Sequence, residues 1–114
     1  MNGADAETQA LKHLQRHGLK PLARNWRCRG GELDLVMRDG DTVVVAEVRQ
    51  RSSEAFGGAL ASVDARKRGR IMLATQMFLS EHPQYAEAPL RFDVLALDAA
   101  GKIDWRRAAF DSDG

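Results

Sequence analysis

The stretch 31–51 carries the clearest alternation of apolar and polar positions in the chain, and it predicts a β-hairpin. Period-two alternation is typical of a strand. Asp39-Gly40 is a strong signal for a two-residue loop, and the valine-rich segment 42–49 follows it. The two strands are expected to share one uninterrupted apolar face, which is formed by Leu33, Leu35, Met37, Val44, Ala46 and Val48.

Counting back from an Asp39-Gly40 loop gives the hairpin a definite register, with Arg38 opposite Asp41. The further pairs expected are Val36 with Val43, Asp34 with Val45, and Glu32 with Glu47. The second face then gathers three carboxylates within one or two pair spacings. Opposed like charges destabilise a sheet, and carboxylates are rarely buried without a partner.

A divalent cation bound by Asp34 and Glu47 would resolve this conflict, since Mg²⁺ or Mn²⁺ favours carboxylate oxygens. Arg49 and Arg51 continue the same face and could hold a phosphate beside the metal. The alternative is a solvent-facing hairpin whose acids and arginines form surface ion pairs. Spacing alone leaves both interpretations open.

The remaining patterns predict two helices and three further strands. Apolar residues at helical spacing indicate helices at 4–17 and 62–81, and β-rich runs indicate strands at 19–26, 90–98 and 102–107. The order is helix, three strands, helix, two strands. A helix that joins two strands favours a parallel crossover. The expected fold class is therefore α/β, with a central mixed five-stranded sheet flanked by helices.

Length and composition predict a single soluble domain covering 1–114. No apolar run approaches the roughly 18 residues that span a bilayer, and the N-terminus lacks the layout of a signal peptide. Cys28 is the one cysteine, which excludes an intramolecular disulfide and fits a reducing cytoplasm. We expect no membrane association and a cytoplasmic location.

The net charge of +1 hides an uneven distribution of charge. Basic residues crowd the segment between Glu7 and Glu32, and a second basic segment begins the long helix. Such segregation suits the phosphate backbone of nucleic acid, although most charge runs are simply solvated faces. The candidate contacts in the second segment are Arg66, Lys67, Arg68 and Arg70.

The sequence resembles the YraN family of small bacterial proteins, through Gly31 to Val36 and Val45 to Arg51. That family is similar to the PD-(D/E)xK superfamily, which has a restriction-endonuclease-like core, and in particular to archaeal Holliday junction resolvases. Further matching positions lie along most of the chain: Glu7, Ala10, Arg24-Asn25, Phe56-Gly57, Lys67, Ile71, Arg91 to Val94, and Ala109-Phe110.

The resemblance implies metal binding by Asp34 and Glu47, with Mg²⁺ or Mn²⁺ as the expected ion, and it gives Glu7 as an additional acid. From its place in the hairpin, Glu32 could support the metal or a water beside it. The resemblance also implies a nuclease-like activity on DNA and, by analogy with the resolvases, a homodimer. One position departs from the superfamily motif: Arg49 stands where the motif has lysine. A guanidinium effectively cannot lose its proton, so Arg49 could stabilise charge but is a poor general base.

Three functions are therefore weighed. The leading one is metal-dependent hydrolysis of phosphodiester bonds in DNA, with branched DNA as one possible substrate. The second is a DNA-binding module that has lost its catalytic activity, which Arg49 in place of the motif lysine would explain. The third is an adaptor for a DNA-processing partner, whose carboxylates merely pair with arginines.

Overall fold

The computed structural model describes residues 3–50 and 63–111. These residues form two α-helices, one 3₁₀-helix at Pro83–Tyr85 and five strands. The helices are α1 (Gly3–Arg16) and α2 (Ala65–Glu81), and the strands are β1 (Lys20–Cys28), β2 (Gly31–Asp39), β3 (Thr42–Gln50), β4 (Leu90–Leu97) and β5 (Ile103–Phe110). The predicted α/β class and element order are confirmed. Arg51 and the glycine-containing stretch 52–58 lie outside the described residues.

The five strands form one mixed sheet in the order β1-β2-β3-β4-β5. Three neighbouring pairs are antiparallel, whereas β3 and β4 run parallel, as the helical crossover predicts. Helices α1 and α2 pack on separate apolar clusters of the sheet. No helix in the described part of the chain is long and apolar enough to cross a membrane.

The register predicted for the β2–β3 hairpin is wrong by two residues. Asp39 pairs with Thr42 and Val36 with Val45, so the loop is Gly40-Asp41 rather than Asp39-Gly40. Gly40 has a φ of 60°, a backbone conformation that glycine adopts without steric cost. Placing glycine first in a two-residue loop is typical of a type II′ turn.

The apolar face predicted for this hairpin is also interrupted. Leu35 and Met37 belong to the cluster under α1, together with Val44, Ala46 and Val48, as predicted. Leu33 instead belongs to the cluster under α2. The alternation of β2 therefore breaks between Leu33 and Leu35, at Asp34.

Two other predicted segments differ at their ends. Helix α2 begins at Ala65 rather than at 62, because the Asp64 side chain accepts a hydrogen bond from the Lys67 backbone N–H and caps the helix. Met77, predicted on the apolar face of this helix, is 42% exposed. Strand β5 continues past 107 to Phe110, through an irregularity at Ala108, whose φ is 51°.

Candidate functional site

The side chains of Asp34 and Glu47 meet where the β2–β3 ladder stops. Regular pairing ends at Leu35 and Ala46, one position short of these two acids. The backbone N–H of Asp34 donates to Glu47 Oε2 over 3.3 Å, and the backbone N–H of Val48 donates to Asp34 Oδ2 over 2.9 Å. Each carboxylate thus accepts a hydrogen bond from the backbone of the opposite strand. The two strands are held together here by side chains.

The β1 side of Asp34 is irregular as well. Arg24 pairs with Leu35 and Trp26 with Leu33, but the intervening Asn25 is not paired with Asp34. Asn25 has a φ of 51°, in the left-handed region, which asparagine tolerates better than most residues. Asp34 therefore occupies a gap in the sheet that is flanked by irregular backbone on one side and by Glu47 on the other.

Glu47 is completely buried, and its charged form is strongly disfavoured. Burial, followed by the negative charge of Asp34, raises the pKa of Glu47 from its ordinary value of 4.5 to about 8. The Asp34 N–H and the charges of Lys67 and Arg49 act in the opposite direction but do not cancel these causes. Oxygen Oε1 of Glu47 has no hydrogen-bond partner within the described ranges 3–50 and 63–111.

A divalent cation fits this donor set. A buried carboxylate oxygen without a partner is costly, and a hard cation beside two carboxylates would satisfy it. Within the described parts of the chain, no group of three or more histidine, cysteine or acidic side chains is placed to hold a metal. Mg²⁺ commonly uses one or two protein carboxylates and completes its shell with waters and substrate phosphate. Asp34 and Glu47 meet that requirement.

Two cations lie close to Glu47. Arg49 is two residues further along β3, and its Nε is buried without a hydrogen-bond partner among the residues that the structure describes. Lys67 reaches the site from α2, near enough for its charge to stabilise the charged form of Glu47. The helix thus brings Lys67 toward the carboxylate pair, and β3 brings Arg49.

The other two predicted acids each pair with an arginine. Glu32 forms an ion pair with Arg27 of β1, with Nε and Oε2 3.1 Å apart, and its side chain is 44% exposed. Glu7 on α1 is more buried and lies 3.7 Å from Nε of Arg24. The structure therefore brings together Asp34 and Glu47, while Glu32 and Glu7 each face an arginine of β1.

The four predicted basic contacts on α2 point in different directions, as expected for residues at about 100° intervals around a helix. Arg68 donates from Nε to the Val63 carbonyl over 3.0 Å and lies over the ring of Phe110. Arg66 and Arg70 are both exposed, and Lys67 and Arg70 line a space beside the start of β2. Arg68 therefore has a packing role, and Lys67 is the one of these four residues whose charge acts on Glu47.

A cavity of about 510 Å³ opens between the β1–β2 turn and the first half of α2. We call it the cation cavity; its walls include Arg27, Cys28, Gly31, Glu32, Lys67 and Arg70. The sequence patterns did not reveal it, because its walls come from segments that are distant in the chain. The residue of the sequence that relates to this cavity is Gly31. A Cβ at this position would lie 2.5 Å from the Arg70 carbonyl oxygen, so the glycine permits the close approach of α2.

A third buried carboxylate, that of Asp93, has a structural explanation. It accepts hydrogen bonds from the Arg91 guanidinium, from Trp105 Nε1 and from the Ala108 backbone N–H. Arg91 also pairs with Asp39 at 3.0 Å. The carboxylate is therefore satisfied, and it holds the irregular part of β5 against β4.

The chain has many relatives of similar length. The model of the family described as "Uncharacterised protein family UPF0102" matches residues 6–97. A UPF0102 protein of Pseudomonas fluorescens Pf-5 is 55% identical over 115 aligned positions, which cover 97% of this chain and 94% of the relative. This chain belongs to the UPF0102 family. A UPF0102 protein of Pseudomonas aeruginosa LESB58 is 50% identical over 115 positions, covering 96% of this chain and 92% of the relative.

UPF0102 is the YraN family, so the resemblance found in the sequence is confirmed at that level. The family description and the names of these UPF0102 relatives state no reaction, ligand or partner. The wider similarity to PD-(D/E)xK nucleases stays a prediction.

Proposed function

We propose that this UPF0102 protein is a metal-dependent nuclease that hydrolyses phosphodiester bonds of DNA, with Asp34 and Glu47 as the metal ligands. The observation that carries the proposal is the buried pair itself. A completely buried glutamate beside a buried aspartate, with one oxygen left without a partner within the described residues, is unfavourable in the metal-free protein. Buried ionisable groups with a shifted pKa of this kind cluster at functional sites.

The residues around the pair suit attack of water on a phosphodiester. A bound Mg²⁺ or Mn²⁺ supplies an activated water and polarises phosphate oxygens. Hydrolysis forms a bond between the water oxygen and phosphorus and breaks the bond to the leaving oxygen, which takes up a proton. Arg49 is suited to stabilise charge on the phosphoryl oxygens, since its guanidinium stays protonated throughout.

We assign to Lys67 the role that the lysine of the superfamily motif plays. Its charge already acts on Glu47 from α2, and an ammonium group can donate hydrogen bonds to phosphoryl oxygens. Its approach from α2 rather than from β3 explains how the chain dispenses with a lysine at Arg49. In this proposal, Lys67→Met lowers turnover more than it lowers metal affinity.

Cleavage of end-labelled four-way-junction, flap and linear duplex DNA tests the proposal, with Mn²⁺ or Mg²⁺ and with EDTA. Cutting is expected only with metal, and Asp34→Asn is expected to abolish it, because the amide keeps the shape but loses the charge that binds the cation. Asp41→Asn is the matched control, since Asp41 is an exposed acid in the turn of the same hairpin. Equal cutting by wild type and Asp34→Asn would contradict the proposal.

The second candidate is a DNA-binding module without turnover, and the observation that favours it is Arg49 in place of the motif lysine. Such a module binds DNA equally well in wild type and Asp34→Asn and cuts in neither. Its affinity is expected to fall steeply between about 50 and 200 mM salt, because contacts to several phosphates release counterions. Salt-independent binding would speak against this candidate.

A further inference from the structure

The walls of the cation cavity carry more positive than negative charge. Three of its wall residues are basic and one is acidic, and that acid, Glu32, is already paired with Arg27. Among the described residues, the side chains of Lys67 and Arg70 form no salt bridge or hydrogen bond, and the charge of Lys67 acts on Glu47, which is not among the wall residues. Two cations that line one concave space, neither of them bonded to its acid, are suited to bind an anion.

The size of the cavity excludes a phosphate ion as its full occupant. Sites for small organic ligands measure about 300–1,000 Å³, and this cavity lies within that range at about 510 Å³. Its remaining walls are apolar or small, with Ile71 on α2 and Gly30-Gly31 on the opposite side. A phosphate joined to a flat or apolar group matches this mixture better than an inorganic anion does.

We propose that the cation cavity binds one nucleotide of the substrate, with its phosphate on Lys67 and Arg70. This inference rests on the proposed function, since it specifies the DNA on which the Asp34–Glu47 site acts. The paired bases of a continuous duplex are stacked and cannot enter a cavity without being extruded, which costs least for an unpaired or terminal nucleotide. The substrate class is therefore DNA with an end, flap or gap.

Lys67 links the cavity to the candidate metal site. It lines the cavity and lies close enough to Glu47 for their charges to interact. A nucleotide held in the cavity therefore places a neighbouring phosphodiester on the side of the sheet where Asp34 and Glu47 meet. The cavity selects the DNA, and the carboxylates act on it.

Cys28 provides a reporter, because it is the chain's single cysteine and lines the cavity. Its rate of alkylation by iodoacetamide is measured in EDTA with thymidine 5′-monophosphate and, separately, with thymidine. The monophosphate is expected to slow alkylation at millimolar concentration and thymidine is not. The amide signals of Gly30 and Gly31 in ¹⁵N-labelled protein are expected to shift with the monophosphate alone.

Substitution identifies the residues that hold the phosphate. Lys67→Gln and Arg70→Gln are each expected to raise the concentration of thymidine 5′-monophosphate that halves the alkylation rate of Cys28 by at least about tenfold. Each substitution removes a charged hydrogen bond to the phosphate. Arg16→Gln and Lys102→Gln remove the same charge at exposed positions outside the cavity and are expected to change that concentration less than about twofold. Protection by thymidine, or equal loss in the control variants, would overturn the proposal.

A comparison of DNA substrates tests the substrate class. A 5′-phosphorylated single-stranded oligonucleotide is expected to protect Cys28 strongly, and a closed duplex without ends is expected to protect it weakly. Equal protection by the closed duplex would refute the specificity. Because these measurements need no metal, Asp34→Asn should retain protection. Cleavage without protection would overturn this inference alone, whereas protection without metal-dependent cleavage would overturn the proposed function and support the cavity.

Discussion

Replacement of Glu47 by glutamine is expected to remove most of the pH dependence that this buried carboxyl gives to the stability of the metal-free protein. Folding raises the pKa of Glu47 from 4.5 to about 8, so between these values the folded protein holds a proton that the unfolded chain has released. This contribution to stability is fully present below pH 4.5 and is lost as the pH rises through 8. Glutamine stays neutral at every pH.

The magnitude follows from the two pKa values. Their difference corresponds to about 5 kcal/mol once the carboxyl is charged in both states, and between pH 6 and pH 9 the loss amounts to about 3 kcal/mol. The opposite contribution of His13 enters as the pH falls through 6.5, because burial and the neighbouring charges of His17 and Arg16 lower its pKa. It is the same in wild type and in Glu47→Gln and cancels from their difference.

Urea unfolding in EDTA at pH 6 and pH 9 measures the effect. Wild-type protein is expected to lose about 3 kcal/mol more than Glu47→Gln between these pH values. Glu81→Gln, which alters an exposed acid at the end of α2, is expected to behave as wild type. In a parallel measurement without EDTA, Mg²⁺ at pH 9 should restabilise the wild type but not Glu47→Gln, because a ligand that binds only the folded state stabilises it. Parallel pH profiles for wild type and Glu47→Gln would refute the reasoning.

Three substitutions test the surrounding structure by chemical denaturation. Asp93→Ala is expected to destabilise the fold by about 3–5 kcal/mol, since Arg91 keeps only Asp39 as a partner while Trp105 Nε1–H and the Ala108 N–H lose their acceptor. An unchanged midpoint of denaturation would contradict this role. Gly31→Ala is expected to destabilise the fold by about 1–3 kcal/mol, because its Cβ would meet the Arg70 carbonyl oxygen. Gly69→Ala, whose Cβ meets nothing within 4 Å, should instead stabilise α2 by up to about 1 kcal/mol. A Gly31→Ala protein more stable than Gly69→Ala would contradict this packing. Asp64→Ala is expected to cost about 1 kcal/mol through loss of the helix cap, and an unchanged midpoint would show that the cap contributes nothing.

The sequence could predict which residues alternate in the hairpin but not which residues face each other. A shift by two residues keeps every side chain on its own face, so loops at Asp39-Gly40 and at Gly40-Asp41 fit the alternation equally well. The choice depends on where glycine relieves backbone strain in the turn. Element order and the parallel crossover were predictable because they depend on segment length and type rather than on single pairings.

The break at Asp34 could not be predicted from the hairpin alone. It involves Asn25, whose left-handed backbone lies on a third strand, and it moves Leu33 to the face opposite Leu35. Likewise, the distribution of charge indicated a basic segment at the start of α2. It could not show that Lys67 lies beside the site whereas Arg68 packs on an aromatic ring. Such distinctions depend on contacts between segments far apart in the chain. The metal-binding and catalytic roles stay predictions.

Among the described strands, the parallel pair β3–β4 differs from the others in the length of chain that it closes. The other three pairs are joined by short turns, whereas this pair must close the segment between Gln50 and Leu90. Contacts that close long loops form late in folding because their entropic cost comes first. We therefore expect the two carboxylates, 13 residues apart in one hairpin, to meet early in folding. Lys67 is expected to join Asp34, Glu47 and Arg49 only when α2 docks on the sheet, so the charged residues of the hairpin come together before the lysine of the crossover.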